Sequence, residues 1–203
     1  MFQSGPEGWG SVLVNVVFGA WFGRVLLETG IAATLIRKTT ELGGDKPAIT
    51  CILLCIVTAA IFSSLFGAGA VVAISVIILP IFMSLGIPKV LSVVSFMLSI
   101  GTGMFLNPVL FGQYTAFFLD GDGKVLYPYE QYVKWGGIAL AVQLVFIIIL
   151  ILFCMRKKSV HSWAARRPVR RKMDFAPTPS LLTPFIPVFL LIVFKVPIIM
   201  GLL

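Results

Sequence analysis

Residues 48–119 read AITCILLCIVTAAIFSSLFGAGAVVAISVIILPIFMSLGIPKVLSVVSFMLSIGTGMFLNPVLFGQYTAFFL, and Lys89 is the only charged side chain in the stretch. A helix needs about 20 apolar residues to cross a bilayer core. Residues 48–85 are too long for one such crossing and slightly short for two. They are divided by Ser63-Ser64-Leu65-Phe66-Gly67-Ala68-Gly69-Ala70. Two short helices joined by a small, polar, glycine-containing tip predict a re-entrant hairpin over 48–85. Non-helical backbone at that depth is tolerated only where protein or a water-filled cavity surrounds it. After the turn at 86–89, residues 90–119 carry a second interruption, at Ser99-Ile100-Gly101-Thr102-Gly103 and Asn107-Pro108. Pro108 cannot donate to residue 104, and the nearby glycines loosen the helix. This reads as one crossing made of two half-helices.

The rest of the chain agrees. Hydrophobic residues form 59% of the sequence, charged residues 12%, and mean hydropathy is +1.03. Soluble domains are about half apolar and a quarter charged. A first apolar segment spans 11–29, with Arg24 and Glu28 one helical turn apart and able to pair. Gly30 offers a stop, and 31–42 reads as a shorter amphipathic helix. Residues 135–155 form an uninterrupted crossing, and 180–203, charged only at Lys195, form a last one. The fold class expected is an all-α integral membrane protein with five to six membrane elements.

A net charge of +8 raises the question of nucleic acid, but its distribution answers otherwise. Eight of the 16 Lys and Arg lie between positions 156 and 172, directly after an apolar crossing. Positive charge accumulates there on the cytoplasmic side of membrane proteins. With loop 156–179 in the cytoplasm, Arg37, Lys38, Lys46 and Lys89 fall on the same side. The amino terminus then lies outside, which for a chain without a signal-like start hints at a preceding span. The expected location is the plasma membrane, multi-pass, with the bilayer and a small anion as partners and no nucleic acid.

Candidate chemistry concentrates at the two interruptions. Half-helix amino termini carry partial positive charge and hold carboxylates or phosphates; carboxy termini suit cations. Two interrupted helices in succession point to a transport site. The expected substrate and ion ligands are Ser63, Ser64, Gly67 and Gly69 in the hairpin tip, and Ser99, Gly101, Thr102, Gly103, Asn107 and Pro108 in the broken crossing. No catalytic constellation, metal site or cofactor is expected beyond a coupling Na+ or H+. Cys51, Cys55 and Cys154 read as small core residues. The DGDG at 120–123 lacks the remaining ligands of a calcium loop and reads as a turn. His161, the single histidine, lies in the basic loop.

Val17-Phe18-Gly19-Ala20-Trp21-Phe22-Gly23, followed by Leu26-Leu27-Glu28-Thr29-Gly30-Ile31-Ala32, resembles a segment of gluconate-permease-like transporters. There a glycine-rich helix precedes a hydrophobic–acidic–x–Gly–small pattern. That family belongs to a broader ion-transporter superfamily with citrate, dicarboxylate and arsenite carriers. The likeness continues through the hairpin into 92–108. It implies secondary transport of a small organic anion, such as gluconate, lactate or a dicarboxylate, coupled to H+ or Na+. Members are about twice as long and built of two inverted halves. By that comparison residues 1–179 are a partial first repeat, 180–203 open the second, and a missing half or a homo-oligomer completes the transporter. A Na+/H+ antiporter of related fold, and a non-transporting subunit or truncated remnant, stand as alternatives.

Overall fold

The computed structural model describes residues 4–44, 46–115, 118, 126–156, 182, 183, 186, 189 and 190. The expected basic loop beyond Arg156, the DGDG turn and most of the last apolar segment lie outside these residues. The described residues form seven helices and no strands. They are α1 (Ser4–Glu28), α2 (Ile31–Gly43), α3 (Pro47–Phe62), α4 (Ala68–Ser84), α5 (Lys89–Met104), α6 (Pro108–Thr115) and α7 (Tyr129–Arg156).

The boundaries follow local chemistry. Gly30 takes a left-handed conformation (φ 73°) that ends α1, and α2 departs from the last part of α1 at 56°. Arg24 pairs with Glu28 at 2.7 Å as its spacing predicts, and Arg37 with Glu41 at 2.9 Å. Pro47 opens α3 from its first turn, where a missing N–H costs nothing. α5 and α6 meet at 62°. The second interruption is narrower than the sequence implies. Ser99, Gly101, Thr102 and Gly103 all lie inside α5, and only residues 105–107 leave the helix. The first is narrower too, because α4 begins at Ala68 and takes in Gly69 and Ala70.

α3 is the hub and packs against α2, α5 and α7, while α4 leans on α5, α1 and α2. Leu54, Cys55, Ile61, Phe62, Leu65, Ile74, Ile78, Phe82 and Phe96 are at most 1% exposed and form the centre of the core. α7 is long and apolar enough to cross a membrane, and each bent pair has that length and composition if taken as one span. Only Gly136, Ile147 and Ile151 of α7 are buried. Its remaining face presents Trp135, Ile138, Val142, Val145, Ile149 and Leu152 outward. By length and composition such an apolar stripe is compatible with a bilayer core.

α1 reaches the two interruptions through glycine. A Cβ on Gly19 would collide with Val109 of α6, and one on Gly23 would press on Leu65 between α3 and α4. Spacing of four residues places both glycines on one face, where they let backbones approach.

Candidate functional site

At the end of α3 the backbone closes on itself. Ser63 N–H donates to the Ala59 carbonyl at 3.0 Å, and Leu65 N–H to the Ile61 carbonyl at 3.0 Å. The Ser63 hydroxyl donates to the Ala60 carbonyl at 2.7 Å. Ser63 and Ser64 are both buried. Gly67 then adopts φ 106°, ψ 152°, a conformation open to glycine and strained for other residues, and α4 starts behind it. Gly67 has no side chain to cap that helix, so its first-turn amides depend on solvent or another group. Ala68 and Gly69 are exposed, with open space where a Gly69 Cβ would stand.

The second interruption is organised by one side chain. Asn107 is fully buried. Its Oδ1 accepts from Val109 N–H at 2.9 Å and Leu110 N–H at 3.2 Å, the geometry of a helix N-cap, with Pro108 in the first helical position. Its Nδ2 donates to the Phe62 carbonyl at 3.0 Å and the Leu65 carbonyl at 2.8 Å. Carbonyls on one side and amides on the other fix the orientation of the amide. Asn107 therefore ties the start of α6 to the end of α3. The carbonyls at the end of α5 are engaged as well. Tyr132 donates its hydroxyl to the Met104 carbonyl at 3.1 Å, and Tyr129 to that of Leu106 at 2.9 Å. Gly136 packs so closely on the Phe105 carbonyl that a Cβ would overlap it.

Between α3 and α5 runs a row of small polar groups. Ser92, Ser95, Ser99 and Thr102 line α5, and Cys51, Cys55 and Thr58 line α3, all at most 1% exposed. Thr58, Ser99 and Thr102 each donate to the carbonyl four residues earlier. The Cys55 thiol sits 4.0 Å from the Ser95 carbonyl. Ser95 Oγ is the one buried side-chain nitrogen or oxygen among the described residues that finds no partner. Gly103 closes the seam against the Ala59 carbonyl and Phe62.

The ten expected site residues thus separate into groups. Ser63, Ser64 and Gly67 lie in the tip whose Phe62 and Leu65 carbonyls accept from Asn107, the residue before Pro108. Gly69 is close in sequence to that junction and open to solvent. Ser99, Thr102 and Gly103 face α3, whereas Gly101 is exposed with nothing near its Cβ position. Sequence reasoning missed Tyr129 and Tyr132, which lie more than 20 positions from the carbonyls they satisfy. Asn107, expected as a ligand, also caps α6, a role that Asn-Pro signals in its own right.

Every buried polar side chain among the described residues is Ser, Thr or Asn. The junction therefore works through neutral hydrogen-bonding groups and helix termini. No protein-family model, curated protein or solved structure matches this chain.

Proposed function

We propose that this chain is the helical core of a secondary transporter that carries a small organic anion across the plasma membrane, coupled to H+ or Na+. The observation that carries the reading is the pair of successive helix interruptions joined through Asn107 inside an apolar bundle. Interrupted helices meeting in this way are the architecture by which transporters place helix ends around a solute. The resemblance to gluconate-permease-like transporters supports the same class, as does the length of the uncharged segments. In this reading α3 and α4 form the re-entrant hairpin, α5 and α6 the broken crossing, and loop 156–179 faces the cytoplasm. The anion meets the first turn of α4 at Gly67 and Gly69, where amides lack intrahelical partners.

Uptake of labelled gluconate, lactate or succinate into vesicles holding the protein tests this, with proton or sodium gradients applied in turn. Gly69→Asp places a carboxylate in the first turn of α4, where it favours the helix but repels an anion. The expected outcome is at least about a tenfold rise in KM with normal folding, as a like charge at close range is worth more than 1.4 kcal/mol. Gly69→Asn should stay near wild type. Unchanged uptake by Gly69→Asp would remove the anion from α4. Sodium-driven dissipation of a pH gradient without anion uptake would identify the related antiporter instead.

A further inference from the structure

Beside the broken crossing lies a cavity of about 440 Å³ whose described lining residues are Phe111, Tyr114, Thr115, Phe118, Leu126, Tyr127 and Tyr132, a mainly aromatic set. We propose that this cavity is a binding site for a quaternary ammonium group, separate from the anion site.

Five of the seven lining residues are aromatic. Phe111 and Tyr132 have ring centroids 5.1 Å apart at 46°, and Tyr114 and Tyr132 are 6.4 Å apart at 51°. Rings tilted by such angles form the facets of a concave wall. Tyr132 is fixed by its own hydrogen bond, since its hydroxyl reaches away to the Met104 carbonyl. That bond removes the polar end of the ring from the cavity and leaves its carbon framework as lining. A phenol that donates a hydrogen bond also holds more electron density in its ring.

Aromatic faces attract cations through the ring quadrupole, and none of the lining residues is a Lys, Arg or His that would repel one. Among the described lining residues the Tyr132 and Thr115 hydroxyls are already spent on the Met104 and Gly112 carbonyls, so the three N–H donors of an ordinary ammonium would be poorly matched there. A quaternary ammonium brings charge without donors. Anions are excluded by the same ring faces. Choline-like solutes and choline lipid headgroups share this chemistry. Both have access on the side read as extracytoplasmic, where α7 begins with Tyr129, Tyr132 and Trp135, an aromatic group of the type that sits at membrane interfaces.

The test is calorimetric titration of the protein in nanodiscs made without choline lipids. Choline is compared with 3,3-dimethylbutan-1-ol, its uncharged isostere. Choline should bind saturably and at least about fivefold more tightly than the alcohol, the discrimination that roughly 1 kcal/mol of cation–π attraction gives. Tyr114→Leu keeps apolar bulk at a half-exposed ring and removes the quadrupole. It should weaken choline by a similar factor and leave the alcohol unchanged. Repeating the titration in phosphatidylcholine nanodiscs separates the sources. A drop in apparent choline affinity assigns the site to the lipid headgroup, and no change assigns it to the free solute. Equal binding of choline and the alcohol, or no saturable choline binding in either lipid, would overturn the proposal, whatever the fate of anion uptake.

Discussion

Asn107 spends its amide on the protein itself, its Nδ2 donating to the carbonyls of Phe62 in α3 and Leu65 in the tip and its Oδ1 accepting from α6 amides. Its replacement by Ala leaves two buried carbonyls and a helix start unsatisfied. A buried group left unpaired costs about 1–3 kcal/mol and a lost cap about 1 kcal/mol. Asn107→Ala should therefore lower stability by at least about 2 kcal/mol, the unsatisfied carbonyl and the lost cap acting together. Thermal unfolding in detergent would register it. Asn107→Asp, which retains the cap acceptor, should lose less from α6 but still abandon both carbonyls. Ser95 gives the opposite sign. Its hydroxyl is buried without a partner, so Ser95→Ala removes a desolvated group and should raise the unfolding temperature. A marked fall would mean that the hydroxyl meets a group supplied from outside the chain. Little of this was legible in the sequence. Asn107-Pro108 announces an interruption, but its bonds to residues 62 and 65 are tertiary, and no local pattern encodes them.

The helices themselves were largely legible, because uncharged runs leave few other structures open to them. Gly30 ends α1 where expected, and the tip between α3 and α4 falls within the expected span. The breadth of each interruption was overestimated because glycines were read as helix breakers. In α5 they behave differently from one another. Gly103 sits where any Cβ would strike the Ala59 carbonyl and Phe62, while Gly101, on the outer side of the same turn, meets nothing. One is there for close packing; nothing in the structure explains the other. Gly103→Ala should destabilise by about 1–3 kcal/mol through overpacking. Gly101→Ala should be neutral or gain up to about 1 kcal/mol from helix propensity. The pair of variants, compared by chemical or thermal unfolding, separates packing from propensity. Equal effects would contradict the arrangement of α5 on α3. Gly19, Gly23 and Gly136 serve the same end, since each admits a neighbour that a methyl group would exclude. A sequence shows that such residues are small but not which neighbour comes close.

At the scale of the whole molecule, composition decides most: an apolar, all-helical chain whose α7 displays its hydrophobic surface outward. The core is centred on α3 because that helix is enclosed by α2, α5 and α7, and the two interruptions meet at its end. That meeting point could not be derived from the order of the elements, since it depends on α5 returning alongside α3 and on α1 approaching α6 and the tip through Gly19 and Gly23. The Asn107 amide has a kinetic corollary. One side chain secures both joints, so neither can open while the other stays shut, and the two behave as a single cooperative unit in the sense of local unfolding. In hydrogen–deuterium exchange, amides after Pro108 and those around Leu65 should then share one opening free energy. In Asn107→Ala they should part company, with the start of α6 exchanging first. A latch held at two ends by one pin opens in one motion, so whatever loosens one interruption loosens the other.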